Sequence, residues 1–127
     1  MQNPLFDTAQ LTWLFFRLDG RISRAVYLLA GVLANMVPAF LLYRFMLAPE
    51  ESTSSGIWAF AFFIGGIVSI WAIFALSVKR LHDFGKPGIL AISLFIPVIS
   101  YIAFIVFCVV PGDQGPNRYA SDTNSPV

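Results

Sequence analysis

Three long runs of apolar residues constrain this chain more than any other feature of its sequence. The runs cover residues 25–47, 57–78 and 89–110, and only the first contains a charged residue, Arg44, near its end. An α-helix rises about 1.5 Å per residue and crosses the hydrocarbon core of a bilayer with about 20 apolar residues. Strands would have to close into a barrel, which three segments of this length cannot do. We therefore predict an all-α integral membrane protein with three transmembrane helices.

The composition agrees with this prediction and excludes other classes of protein. Hydrophobic residues make up 57% of the 127 residues and charged residues 12%, whereas soluble domains carry about 25% charged residues. The polar remainder is too short to cover three apolar helices in water. The net charge of +1 gives no overall field that would attract nucleic acid. Cys108 has no second thiol with which to form an intrachain disulfide. We expect residues 1–127 to form one membrane domain.

The segment before the first run predicts an amphipathic helix over about residues 8–19. Asp7 precedes it as a candidate N-cap, and Gly20 supplies the stop. This helix could lie in the headgroup layer or pack against the chain's own spans, and the pattern favours neither. The apolar side chains at helical spacing are Leu11, Leu14, Phe15, Leu18 and Ile22.

The basic residues predict an orientation. Six of them flank the start of the first run or lie between the second and third, and two, Arg44 and Arg118, would lie on the other side. Because Lys and Arg are retained in the cytoplasm, we predict a cytoplasmic N-terminus. With three crossings, the polar tail over residues 111–127 is periplasmic.

Prolines complicate two of the runs. Pro38 and Pro97 each remove a backbone donor, so either helix is expected to kink. We favour a kinked single crossing for residues 89–110. The alternative is a re-entrant hairpin at Pro97, which would return the tail to the cytoplasm.

The second run carries small residues at a spacing of four: Ala61, Gly65 and Ser69. Helices in lipid associate through close packing, so this face is the predicted helix-packing seam. Its partner could be another span of the same chain or a second copy.

Polar motifs flank the spans. The first contains Arg21 and Arg24, with Tyr27 just inside the first run, and arginines near a bilayer surface attract anionic lipid. The second contains Arg80, His82 and Asp83; if the second helix continues to Asp83, Arg80 and Asp83 can pair at i, i+3. The third, in the tail, contains Asn117 and Arg118. The residues named in these three motifs are our candidate binding residues. No metal or cofactor motif accompanies them, and we predict no metal site and no cofactor.

These motifs, in this order, resemble the bacterial inner-membrane family known as domain of unknown function 805. The resemblance covers the chain from about Phe15 to Asp122 and implies a bacterial inner-membrane location but no activity. The matching residues are Gly20, Arg21, Arg24, Tyr27, Arg80, Leu81, His82, Asp83, Gly85, Gly88, Gly112, Gly115, Asn117, Arg118 and Tyr119.

Our leading functional hypothesis is a non-enzymatic module that binds lipid headgroups, notably anionic ones, or a partner protein through its cytoplasmic Arg and His-Asp face. A homo-oligomer or a membrane-protein partner fits this hypothesis, and a nucleic acid does not. One alternative is an oligomeric transport or permeation component, which the lack of ionisable groups at membrane depth disfavours. Another is an interfacial enzyme that uses His82 and Asp83.

Overall fold

The computed structural model describes residues 8–126, and its regular secondary structure is helical. Its elements are α1 (Thr8–Phe16), α2 (Arg24–Leu47), α3 (Thr53–Asp83), a 3₁₀ helix (Gly88–Phe95) and α4 (Ile99–Val109). Within the described range, β structure is limited to isolated bridges, one of which pairs Arg21 with Ser125.

The two long helices, α2 and α3, form the frame of the molecule. Both are long and apolar enough to cross a membrane, with mean hydropathies of 2.0 and 2.3 in their most apolar windows, of which only 22% is buried. Ser23 and Ser52 cap them by accepting hydrogen bonds from the backbone N–H groups of Val26 and Ser55. The predicted helices over 25–47 and 57–78 are confirmed as helices, and α3 continues beyond the second run to Asp83.

The face of α3 with small residues packs against α2. A Cβ atom on Gly65 would lie 2.6 Å from Cδ1 of Leu41. The hydroxyl of Ser69 donates to the carbonyl of Ala34 at 3.1 Å. That carbonyl is four residues before Pro38, which has no N–H to offer it. Ser69 therefore replaces the helical hydrogen bond that Pro38 removes, and the small residues bring the two backbones close enough for it to do so.

The third apolar run does not cross the molecule as one helix. Its 3₁₀ half runs beside α3, away from the end at Asp83, and Phe95 at its far end contacts Phe74, with ring centroids 6.3 Å apart. Its α4 half returns, and Phe107 contacts Phe84 at the end of α3, with ring centroids 6.2 Å apart. The prediction of a kinked single crossing over 89–110 is wrong, and the run forms the hairpin that was the alternative. Pro97 stands between the two halves because it cannot continue the 3₁₀ hydrogen bonds.

A strained turn closes this hairpin. Val98 has φ 71° and ψ −54°, and the N–H of Ile99 donates to the carbonyl of Pro97 at 2.9 Å. This is a γ-turn with positive φ, which is rare for any residue and rarer for a β-branched one. Such backbone strain costs about 1–3 kcal/mol and persists only where the surrounding structure imposes it.

The first helix packs against α3, so of its two predicted environments the chain's own spans are the one observed. The ammonium group of Lys79 donates to the carbonyls of Trp13 and Leu14. The indole N–H of Trp71 donates to the carbonyl of Phe16 at 3.1 Å. The helix ends at Phe16 rather than at residue 19. The predicted cap, Asp7, lies outside the described residues.

Candidate functional site

The end of α3 carries a cluster of three buried charges. The carboxylate of Asp83 accepts from Nε of Arg21 at 3.0 Å and from Nη1 of Arg80 at 2.7 Å. The exposed fractions are 1% for Arg21, 0% for Arg80 and 3% for Asp83. One carboxylate thus balances two guanidinium groups that have almost no contact with water.

Local structure brings these side chains together from distant parts of the sequence. Arg80 and Asp83 are one helical turn apart on the last turn of α3, as the i, i+3 spacing predicted. Arg21 follows Gly20, which adopts φ +95° and leaves no room for a Cβ atom against the backbone of residues 125 and 126. A side chain at residue 20 would therefore displace the strand-like pairing in which the N–H of Arg21 donates to the carbonyl of Ser125 at 3.0 Å.

The two buried arginines hold the C-terminal segment with their remaining donors. Arg21 donates to the carbonyls of Asp113 at 2.8 Å and Gly115 at 2.7 Å. Arg80 donates from Nε to the carbonyl of Phe107 at 2.7 Å and from Nη2 to that of Val110. A buried cation is tolerated only when it is paired and hydrogen-bonded. These bonds, together with the ion pairs to Asp83, meet that condition for both guanidinium groups.

The backbone also links the tail to the end of α3. The N–H of Asp113 donates to the carbonyl of Asp83 at 2.6 Å. Gly112 lies so close that a Cβ atom there would overlap the carboxylate of Asp83. Arg118 and the rest of the tail consequently lie at the same end of the helix pair as Arg21 and His82. The prediction that the tail lies on the opposite face is wrong, because the hairpin at Pro97 returns the chain.

A second layer of contacts surrounds His82. Its Nδ1 lies 2.9 Å from the carbonyl of Gly20, so Nδ1 carries the hydrogen and donates. The ring of Tyr119 stacks on the imidazole, with centroids 3.9 Å apart and an interplanar angle of 3°. Asn117 donates to the carbonyl of His82 at 2.9 Å. Asp83 is not among the partners of His82, and its carboxylate is occupied by the two arginines.

The other predicted site residues lie around this cluster. Tyr27 is buried below it, with its hydroxyl 3.0 Å from Oγ of Ser77. Arg24 is exposed and donates to the carbonyl of Val109 at 2.6 Å. Arg118 is exposed, and its guanidinium lies 4.8 Å from the centroid of the Tyr119 ring. The predicted binding residues therefore fall into three groups: four are buried, two are half-buried and two are exposed. They are, in that order, Arg21, Tyr27, Arg80 and Asp83; His82 and Asn117; and Arg24 and Arg118.

The sequence patterns assigned no contact with the cluster to three participants. Lys79 is buried under α1, although its position next to Arg80 suggested a simple topology signal. Gly112 and Asp113 contact Asp83 directly, although their Gly and Pro neighbours indicated only turns. The available signal for Gly112 was its place among the residues that match the family motifs, because a glycine in a motif allows close backbone approach.

The basic residues are distributed unevenly between the two ends of the helix pair. Of the eight Lys and Arg residues, seven lie at the end that carries the cluster. The eighth, Arg44, lies at the opposite end with Glu50 and Glu51. Within residues 8–126, no group of three His, Cys, Asp or Glu side chains is arranged to hold a metal ion.

Comparisons with known proteins identify one family. The family model described as protein of unknown function (DUF805) matches residues 15–121. Inner membrane protein YhaI of Escherichia coli (strain K12) is 38% identical over 50 residues, which make up 39% of this chain and 42% of that protein. The protein of the same name from Escherichia coli O157:H7 matches with the same identity and coverage. The matched region thus spans less than half of either relative. No solved structure gives a significant match.

Proposed function

This chain belongs to the family described as protein of unknown function (DUF805), and we propose that it is a non-enzymatic inner-membrane protein that binds anionic phospholipid headgroups. The observation that carries the proposal is the concentration of seven of the eight basic residues at one end of an apolar helix pair. Two supporting facts are the name of the relative, an inner membrane protein, and the two helices long enough to cross a bilayer.

The proposal includes an orientation in which α1 and the tail both face the cytoplasm. The hairpin adds Arg118 to the basic end, so Lys and Arg divide seven to one between the two ends rather than six to two, as three crossings would give. Basic residues near the ends of spans are retained in the cytoplasm. A reporter active only in the cytoplasm, fused after Val127, should be active, and one active only in the periplasm should be silent. The reverse result would contradict this orientation.

The residues that contact lipid in this proposal are the exposed basic ones rather than the buried ones. Arg21 and Arg80 use their donors inside the protein, so they position the tail and do not reach a headgroup. The basic residues left exposed at this end include Arg24, Lys86 and Arg118. A basic residue near an anionic surface contributes about 1 kcal/mol, an effect that salt screens.

An apolar cleft supports lipid as the ligand. It has a volume of about 370 Å³ and lies between α1, α2 and α3. Phe15 and Phe16 line its α1 side, and Gly65, Ser69 and Ala72 line its α3 side. Small ligands occupy clefts of about 300–1,000 Å³. An acyl chain in this cleft would place its headgroup near the basic end of the helices.

The test compares charge removal at the two ends of the protein. A triple variant, R24Q/K86Q/R118Q, and the control R44Q are each purified from bilayers containing phosphatidylglycerol and phosphatidylethanolamine. Native mass spectrometry then measures the ratio of the two lipids that remain bound. At low salt we expect the triple variant to lose phosphatidylglycerol preference by about fivefold for each residue replaced, and the control to keep it. Equal ratios in the triple variant and the control would refute the proposal.

The alternatives have less support from the geometry. Catalysis by a His82–Asp83 pair would require the two side chains to contact each other, and they bond to other groups instead. A transport path through the spans would require ionisable groups at membrane depth, and residues 57–78 contain none. Lipid binding requires neither feature.

A further inference from the structure

In the membrane orientation proposed above, on which this inference rests, the tip of the hairpin lies near the middle of the membrane. The 3₁₀ helix has 8 residues and α4 has 11. At about 2.0 Å and 1.5 Å per residue, both arms reach a depth of about 16 Å from the basic end. The hydrocarbon core is about 30 Å thick, so the turn around Val98 lies near its centre.

Three backbone groups at this tip lack a hydrogen-bond partner within the described part of the chain. The carbonyl of Leu94 would pair with residue 97 in a continued 3₁₀ helix, but Pro97 has no N–H. The carbonyl of Phe95 would pair with the N–H of Val98 in a continued 3₁₀ helix, but this hydrogen bond is not formed. In residues 8–126, none of these three groups has a backbone or side-chain partner. Two of the residues that carry these groups are exposed, with exposed fractions of 61% for Phe95 and 68% for Val98.

Such a tip is not stable against lipid. The hydrocarbon centre has no water to satisfy an N–H or a C=O group, and irregular backbone at this depth is found only where protein or a water-filled cavity covers it. The hairpin therefore requires a cover that the described part of the chain does not supply.

We propose that the cover is a second copy of this chain, joined tip to tip about a two-fold axis. A two-fold interface uses the same patch on both partners. This tip meets that requirement, because it offers an N–H at Val98 and free carbonyls three and four residues earlier, so each copy donates to the other. The surrounding side chains are uncharged and apolar, which suits burial against the same surface and excludes a partner that presents a charge at this depth. The apolar side chains exposed on this face are Ile92, Phe95, Ile96, Val98, Ile99 and Ile102.

The test is disulfide crosslinking in intact membranes. Cys108 is first replaced by Ser, which removes the one native thiol, and V98C is introduced. The control is M36C, which lies 12 residues into α2, at a depth of about 18 Å, and is 59% exposed. With a membrane-permeant copper oxidant we expect V98C to give a species of twice the 14.1 kDa chain mass, at a rate at least tenfold above that of M36C.

Three results would overturn the proposal. Equal crosslinking of V98C and M36C would show random collision. A V98C adduct of a different mass would show that another protein covers the tip. The third result concerns the unaltered chain, so that a folding defect in a variant cannot decide the matter: native mass spectrometry from lipid nanodiscs should give a dimer, and monomer alone would refute the interface. Loss of lipid preference in the charge variants leaves all three measurements unchanged, so this inference and the proposed function fail separately.

Discussion

Replacing Asp83 with Asn removes the carboxylate that Arg21 and Arg80 both contact. The substitution changes the shape of the side chain little but leaves two guanidinium groups, with exposed fractions of 1% and 0%, without an opposing charge. Breaking a buried ion pair by removing one partner costs about 3–5 kcal/mol. The arginines keep their bonds to the carbonyls of the tail, and Asn can still accept one hydrogen bond. We therefore expect the free energy of unfolding to fall by about 3 kcal/mol, the lower end of that range.

Asp19 provides a matched control on the same end of the molecule. Its carboxylate also contacts an arginine at 3.0 Å, but the side chains of Arg17 and Asp19 are 63% and 44% exposed. Exposed ion pairs contribute about 0–1 kcal/mol. The same change, Asp19→Asn, should therefore have little effect, and the difference between the two variants isolates the contribution of burial.

The measurement is reversible unfolding in mixed detergent and sodium dodecyl sulfate micelles, followed by tryptophan fluorescence. A loss of about 3 kcal/mol lowers the folding equilibrium constant more than 100-fold. Limited proteolysis in native detergent should also release the tail from the D83N variant first. If D83N loses no more stability than D19N, the buried cluster does not hold the C-terminal segment, and the reasoning is refuted.

Three further substitutions test other contacts. Gly112→Ala should destabilise the protein by about 1–3 kcal/mol in the same unfolding assay, because its Cβ would overlap the carboxylate of Asp83, whereas Gly66→Ala, with nothing within 4 Å, should be neutral; equal effects would contradict the close approach. Tyr27→Phe should cost about 1 kcal/mol by removing a buried hydroxyl pair, and an unchanged unfolding midpoint would contradict that bond. Lys79→Met should remove the buried ammonium donor that the carbonyls of Trp13 and Leu14 share, so hydrogen exchange in α1 should rise while α2 stays protected; unchanged α1 exchange would show that the ammonium group does not anchor it.

The sequence alone determined the parts of this protein that depend on local composition. Hydropathy predicted α2 and α3, because long uncharged apolar runs require a solvent other than water. The spacing of Gly65 and Ser69 indicated the face that packs against α2. The asymmetry of the basic residues and the order of the motifs pointed to the inner-membrane family that the comparisons then identified.

Tertiary structure decided whether the third apolar run crosses or returns, and which charges are buried. Hydropathy reports how strongly a segment avoids water, and Pro97 is compatible with a kink or a turn, so neither could choose between the two. The burial of Arg21 depends on Asp83, 62 residues away, and on the carbonyl of Asp113, 92 residues away. An exposed arginine and a buried one look alike in a sequence. Only the fold brings together the carboxylate and the carbonyls that make a buried charge stable.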